Sequence, residues 1–169
     1  ASSCYFPSSC FLSVPLISIQ QETANAKIFT FALPKNQSLN LPISSCIMMQ
    51  GRDAENNVVS KPYNPISFKP GSFSLLIKQY STGTVSTWAG NLKVGDNVSF
   101  CQFKGNLKTF QFPFNGVKKI TMACTGTGIT PHYQALIPII QNSSIQVRLI
   151  YGNSTFGDIM LRKELIQMS

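Results

Sequence analysis

Histidine is almost absent from this sequence: His132 stands alone in 169 residues. With a single imidazole, the five cysteines (Cys4, Cys10, Cys46, Cys101 and Cys124) make no metal-ligand spacing. A thiol nucleophile would have only His132 as its base, which counts against cysteine catalysis. The odd cysteine number and open spacing also count against a disulfide scaffold. Cys46, Cys101 and Cys124 fall within apolar runs, where a thiol behaves as a small hydrophobe. Long apolar runs are missing too: none approaches the roughly 20 residues needed to span a bilayer. The opening "ASSCYFPSSCF" has neither an initiator methionine nor the charged flank and long apolar centre of a secretory signal. The expectation is a processed or trimmed intracellular chain, with any membrane anchor outside the residues given.

Acidic residues are scarce, 6 against 14 basic, leaving a net charge of +8. That surplus suits an acidic partner. The lysines are scattered, only "VKKI" (117–120) forms a pair, and basic and aromatic residues do not alternate. Nucleic acid is therefore not the expected partner. At 43% hydrophobic and 12% charged, the chain can bury a core and is too apolar to be disordered.

Up to about residue 112 the pattern is β. "AKIFTFAL" (26–33), "SSCIMMQ" (44–50), "SFSLLIKQY" (72–80) and "DNVSFCQF" (96–103) are short and rich in branched or aromatic residues. They are bounded by "LPKNQ", "GRDAEN", "FKPG" and "VGDN", which carry turn chemistry. About six such strands predict a small antiparallel barrel or sandwich over residues 1–115. After "FPFNG" (112–116) the order becomes strand "KKITMAC", glycine loop, helix "PHYQALIPIIQN", strand "IQVRLIY" and helix "GDIMLRKELIQM". That alternation predicts the first part of a parallel α/β domain over residues 116–169. Leu136, Ile139 and Ile140 fall at helical spacing, with Pro138 expected to kink or shorten the helix.

The loop "TGTGITP" (125–131) carries the chemistry. Gly126 and Gly128 permit a sharp turn and leave backbone N–H groups open to a ligand. Thr130 is expected as the N-cap and Pro131 as the first helical residue. A helix N-terminus with free donors attracts a phosphate. Without the third glycine of G-x-G-x-x-G, a ligand-free glycine connection explains the loop equally well.

"KPYNPIS" (61–67), "LLIKQYSTGTVSTW" (75–88), "LKVGDNVSF" (92–100), "TGTGITP" and "YGNSTFGDIMLRKEL" (151–165) resemble, in that order, the NADH-cytochrome b5 reductase branch of the ferredoxin-reductase-like flavoproteins. The resemblance implies an FAD-holding antiparallel barrel and an α/β domain that brings NADH to the flavin. Carried over, Tyr63 packs near the isoalloxazine, Lys61 faces the FAD pyrophosphate and Asn64 sits by the reactive flavin nitrogen. Leu76, Lys78 and Tyr80 match further flavin-lining positions. Gly83, Val85 and Ser86 match a Gly-x-x-Ser turn that cups the pyrophosphate. Gly126, Thr127 and Gly128 match the nicotinamide-side loop, and Thr130 helps seat the nicotinamide. Asn64 and Thr130 are thus the catalytic candidates, while Tyr151, Asn153 and Asp158 lie in the segment leading to the NADH adenosine. The implied partner is an acidic haem protein such as cytochrome b5. The implied setting is membrane-associated, at the mitochondrion or endoplasmic reticulum.

The chain departs from the family's pattern at several of these positions. Lys61 replaces an arginine and loses its bidentate fork. Asn64 replaces a small hydroxyl residue, and Thr125-Gly126-Thr127-Gly128 replaces Gly-Gly-Thr-Gly. Ser44-Ser45-Cys46 stands for a Gly-Gln-His-like segment, and no counterpart of the family's Cys-Gly-Pro segment falls within residues 1–169. Two parallel strands are expected to leave an apolar sheet edge bare, to be paired by a further segment, another copy or a partner subunit. Two functions are therefore open: a working FAD-dependent NADH reductase, or a non-catalytic relative serving as a subunit of a larger assembly. Trp88 is expected to pack, and His132 is assigned no role.

Overall fold

The computed structural model describes residues 4–103, 113–142 and 144–169. Residues 104–112, which end the predicted barrel, lie outside the described residues. Strands β1 (Leu12–Thr23), β2 (Ala26–Ala32), β3 (Ile47–Arg52), β4 (Val58–Tyr63), β5 (Pro65–Lys69), β6 (Ser72–Lys78) and β7 (Asn97–Gln102) form one sheet. Its order is β4-β3-β7-β1-β2-β6-β5, antiparallel throughout.

The expected antiparallel architecture is present, with seven strands rather than six and no ladder closing the ring among the described residues. The extra strand comes from residues 58–69. β4 pairs with β3 and β5 with β6, so the chain crosses from one edge of the sheet to the other at Asn64. Pro65 follows immediately, and it can donate nothing to a ladder, which suits an edge strand. β1 is long enough to serve two neighbours, pairing Leu12–Pro15 with β7 and residues 16–23 with β2.

Alternation puts Leu16, Phe29, Phe31, Ile47, Met49, Phe73, Leu75 and Phe100 inside, each no more than 1% exposed. Phe31 and Phe100 meet edge to face at 4.9 Å between ring centroids, as do Phe73 and Phe100 at 5.2 Å. Burying each such ring contributes about 1.5–3 kcal/mol. A short helix, α1 (Val85–Gly90), links β6 to β7, a turn that the sequence pattern did not distinguish from strand-flanking loop. Trp88 packs from it onto Gly51, where an added Cβ would lie 2.8 Å from the indole.

The second part follows the expected order with three local differences. β8 (Lys119–Thr125) and β9 (Gln146–Gly152) are parallel, and among the described residues each pairs only with the other. Between them a 3-10 turn at Gly126–Gly128 leads into α2 (Ile129–Asn142). The helix therefore starts before Pro131, and Thr130 lies inside its first turn instead of capping it. Proline lacks an N–H, so the Thr127 carbonyl has no helical donor at residue 131. A backbone N–H at the end of the 3-10 turn donates to that carbonyl, and the Thr130 hydroxyl adds a second donor at 3.0 Å.

Pro138 does not end the helix, which runs four residues beyond it. Ile139 is buried as expected, but Ile140 is 45% exposed and points away from the core. The final segment is not one long helix. It forms a 3-10 turn at Phe156–Asp158, and then Leu161, in the left-handed region at φ 57°, starts the short helix α3 (Arg162–Gln167).

The two parts are joined by an apolar cluster in which Ala26, Ile66 and Leu76 of the large sheet meet Ile129, Met160 and Leu161. The Leu161 backbone N–H also donates to Glu22 Oε1 at 2.6 Å.

Candidate functional site

A cleft of about 430 Å³ opens along this joint. One wall comes from the β4–β5 crossing, with Lys61, Pro62, Tyr63 and Asn64. The floor and second wall come from Leu76, Lys78, Tyr80 and the turn Gly83–Ser86. The third side is the glycine loop, with Thr127, Gly128, Thr130 and Pro131. Of the residues singled out from the sequence for the cofactors, Gly126, Tyr151, Asn153 and Asp158 are not in this lining. Gly126 and Asn153 border an adjoining cleft of about 450 Å³ at the C-terminal ends of β8 and β9, and Lys78 lines both clefts.

Local chemistry explains each position. Leu76 faces inward at 3% exposure and gives the cleft an apolar floor. The Tyr63 phenol is pushed up to about 12, by burial first and by neighbouring Tyr80 second, so it is neutral at any physiological pH. Gly83 leaves no space for a side chain: a Cβ there would stand 2.1 Å from Ser86 Oγ and 3.1 Å from the Tyr80 carbonyl. Gly126 adopts φ 50°, which favours glycine, and its carbonyl accepts from Tyr151 Oη at 3.0 Å. Tyr80 Oη and Thr127 Oγ1 stand 3.4 Å apart across the opening.

Two candidates are held differently from a purely ligand-facing side chain. Lys78 Nζ pairs with Asp158 Oδ1 at 3.2 Å, linking the sheet to the last segment of the chain. The Asp158 carboxyl is held below the ordinary range, first by the Thr155 hydroxyl at 2.8 Å and then by Lys78. Asn64 Nδ2 donates to the carbonyls of Ser45, at 2.9 Å, and Ser44, at 3.3 Å. Its amide nitrogen is thus bound to the loop before β3.

Sequence reasoning did not single out Gln134, which is 2% exposed and donates to the Ser45 and Pro65 carbonyls. The signal available was a glutamine inside the apolar stripe of α2. His132 Nδ1 lies 2.7 Å from the Gly128 carbonyl. Burial raises the Cys101 and Cys124 thiols, which agrees with a packing role. No metal-ligating cluster is present among the described residues.

The cleft suits a ligand with a flat apolar ring and an anionic chain. Tyr63 and Leu76 supply the apolar surface, Lys61 supplies charge, and the turn at Gly83–Ser86 offers a hydroxyl and a close backbone approach. An antiparallel sheet joined at such a cleft to a strand–loop–helix unit defines the class of ferredoxin-reductase-like flavin and nicotinamide oxidoreductases.

Within that class, the chain belongs to the oxidoreductase FAD-binding domain family, whose profile matches residues 13–112. The oxidoreductase NAD-binding domain profile matches residues 122–169. Its curated relatives are NADH-cytochrome b5 reductases. NADH-cytochrome b5 reductase 2 of Saccharomyces cerevisiae is 35% identical over 160 residues, covering 92% of this chain and 52% of that protein. NADH-cytochrome b5 reductase 1 of Lodderomyces elongisporus is 38% identical over 162 residues, covering 93% and 53%. The chain thus spans about half the length of the curated relatives it matches. The crystal structure of the cytochrome b5 reductase domain of Ulva prolifera nitrate reductase superposes with a TM-score of 0.85 at 28% identity, covering 99% of this chain and 71% of that one.

Proposed function

We propose that the chain holds FAD and receives NADH in a reductase of cytochrome b5 reductase type, which passes electrons through the flavin to a haem protein. The observation that carries this is the single cleft in which Tyr63, Leu76 and Ser86 face Thr127, Gly128 and Thr130. FAD, held by the residues of this cleft, would supply the redox chemistry that links a hydride donor to a one-electron acceptor.

In this reading Tyr63 and Leu76 pack on the flavin ring. Lys61 and Ser86 bind the pyrophosphate, and Gly83 lets backbone approach it. Thr130, fixed by the Thr127 carbonyl, and the Gly126–Gly128 turn hold the nicotinamide end, with Asn153 and Asp158 toward the adenosine. Asn64 borders the reacting ring. Residues 1–115 act as the FAD unit and 116–169 as part of the NAD unit. The basic surplus steers an acidic haem partner, cytochrome b5 or a protein like it, with docking that weakens in salt. No helix among the described residues is long and apolar enough to cross a membrane. The setting in this reading is the mitochondrial or endoplasmic-reticulum membrane.

The other reading is a non-catalytic subunit held by neighbouring proteins. The commitment of the Asn64 amide to Ser44 and Ser45 favours it. Flavin loading separates the two. The purified polypeptide is expected to be yellow, to bleach with NADH and to recolour with oxidised cytochrome b5. A colourless protein that takes up no added FAD defeats the enzyme reading.

A further inference from the structure

We propose that Gln134 is a positioning residue that sets the glycine loop against the flavin-facing wall, an assignment that rests on the function proposed above. Its Nε2 donates to the carbonyls of Ser45, at 3.1 Å, and of Pro65. Ser45 precedes β3, the neighbour of the edge strand β4, and Pro65 begins β5, the edge strand at the other end of the order. One amide on α2 therefore ties the start of β3 to the start of β5. The Ser45 carbonyl also accepts from Asn64 Nδ2 at 2.9 Å, and Ser44 Oγ donates to the Pro131 carbonyl at 2.7 Å. Asn64 on one side of the cleft and α2 behind the other are thus tied to the same short loop.

Packing alone does not fix this arrangement. The surrounding contact is made by Ala26, Ile66, Leu76 and Ile129, and apolar burial has no direction. Hydrogen bonds do have direction, so the amide fixes how α2 is rotated on the sheet. Nor is stability its purpose. Gln134 Oε1 and Ser45 Oγ are both buried without a protein partner, and an unpaired buried acceptor is destabilising. A methionine of similar volume removes one of these orphans but also takes a donor from the Ser45 and Pro65 carbonyls, so Gln134→Met is expected to fold and to melt modestly below wild type.

The test compares the full polypeptide with Gln134→Met and Ser44→Gly. The latter deletes the Pro131 tie while suiting the left-handed backbone at residue 44, φ 59°. Amide hydrogen exchange at residues 44–46, 64–66 and 127–130 is expected to rise about tenfold in Gln134→Met, and less in Ser44→Gly, with β1, β2 and β6 unchanged. After FAD loading, flavin affinity is expected to stay within about twofold. The single-turnover rate of bleaching by NADH is expected to fall about tenfold, because small misplacements of reacting groups are costly. A residue needed only for stability would lower melting and flavin retention together and leave that rate intact. Unchanged exchange at the three segments, or an equal rise across the whole sheet, overturns the proposal. If Gln134→Met does not fold, Ser44→Gly decides it by the same exchange readout. A wild type that binds no flavin defeats the proposed function, and exchange then decides the positioning role by itself.

Discussion

Ser86 and Gly83 are matched to each other, since the serine hydroxyl occupies the space that any side chain at residue 83 would take. Gly83→Ala is therefore expected to displace Ser86 and to loosen FAD. Ser86→Ala removes the charge-assisted bond proposed to the pyrophosphate and should weaken FAD by about 1–3 kcal/mol. Lys61→Arg should tighten it by restoring a bidentate fork. Equilibrium dialysis with FAD checks all three, and equal affinity in every variant places the pyrophosphate elsewhere.

Tyr63 gives a test that needs no ligand. Its folded pKa of about 12 lies above the ordinary 10.0, so the stability it brings is complete below pH 10 and is lost as pH rises toward 12. Tyr63→Phe should flatten that alkaline decline in urea melts. The cleft-lining residues were legible through the family resemblance of the motifs that carry them. Gln134 was not, because its partners are backbone carbonyls 69 and 89 residues away.

At the level of elements, strands bounded by turn residues and buried on one side were readable, as at β2, β6 and β7. The β4–β5 crossing was less so, because what separates two strands there is a change of partner, not a break in composition. Likewise α1 and the left-handed Leu161 depend on tertiary contacts that period alone does not carry. The start of α2 carries an added side-chain donor. Thr130→Val removes one of the two donors to the Thr127 carbonyl and should cost about 0.5–1.5 kcal/mol, read as a lower denaturant midpoint with unchanged slope. An unmoved midpoint would mean that water replaces the hydroxyl.

For the whole molecule, the Lys78–Asp158 pair joins first part to last. The Asp158 carboxyl titrates below its ordinary 3.8, so its contribution is present above that pH and fades as acid carries the pH through the lowered value. Asp158→Asn should remove that part of the acid sensitivity in melts between pH 6 and roughly pH 2. The outer face of β8 and β9 stays bare, with Thr121, Arg148 and Ile150 exposed. Residues 1–169 alone are accordingly expected to self-associate, and Ile150→Lys to reduce this, as light scattering would show.

Among the described residues the outermost strands of the open sheet are consecutive in the chain and no ladder joins them, so the ring is split at Asn64, with the cleft beside the gap. A split ring yields where it is cut. Thermal motion and ligand entry can widen it there without breaking a rung, and its compliance is set by whatever spans the opening.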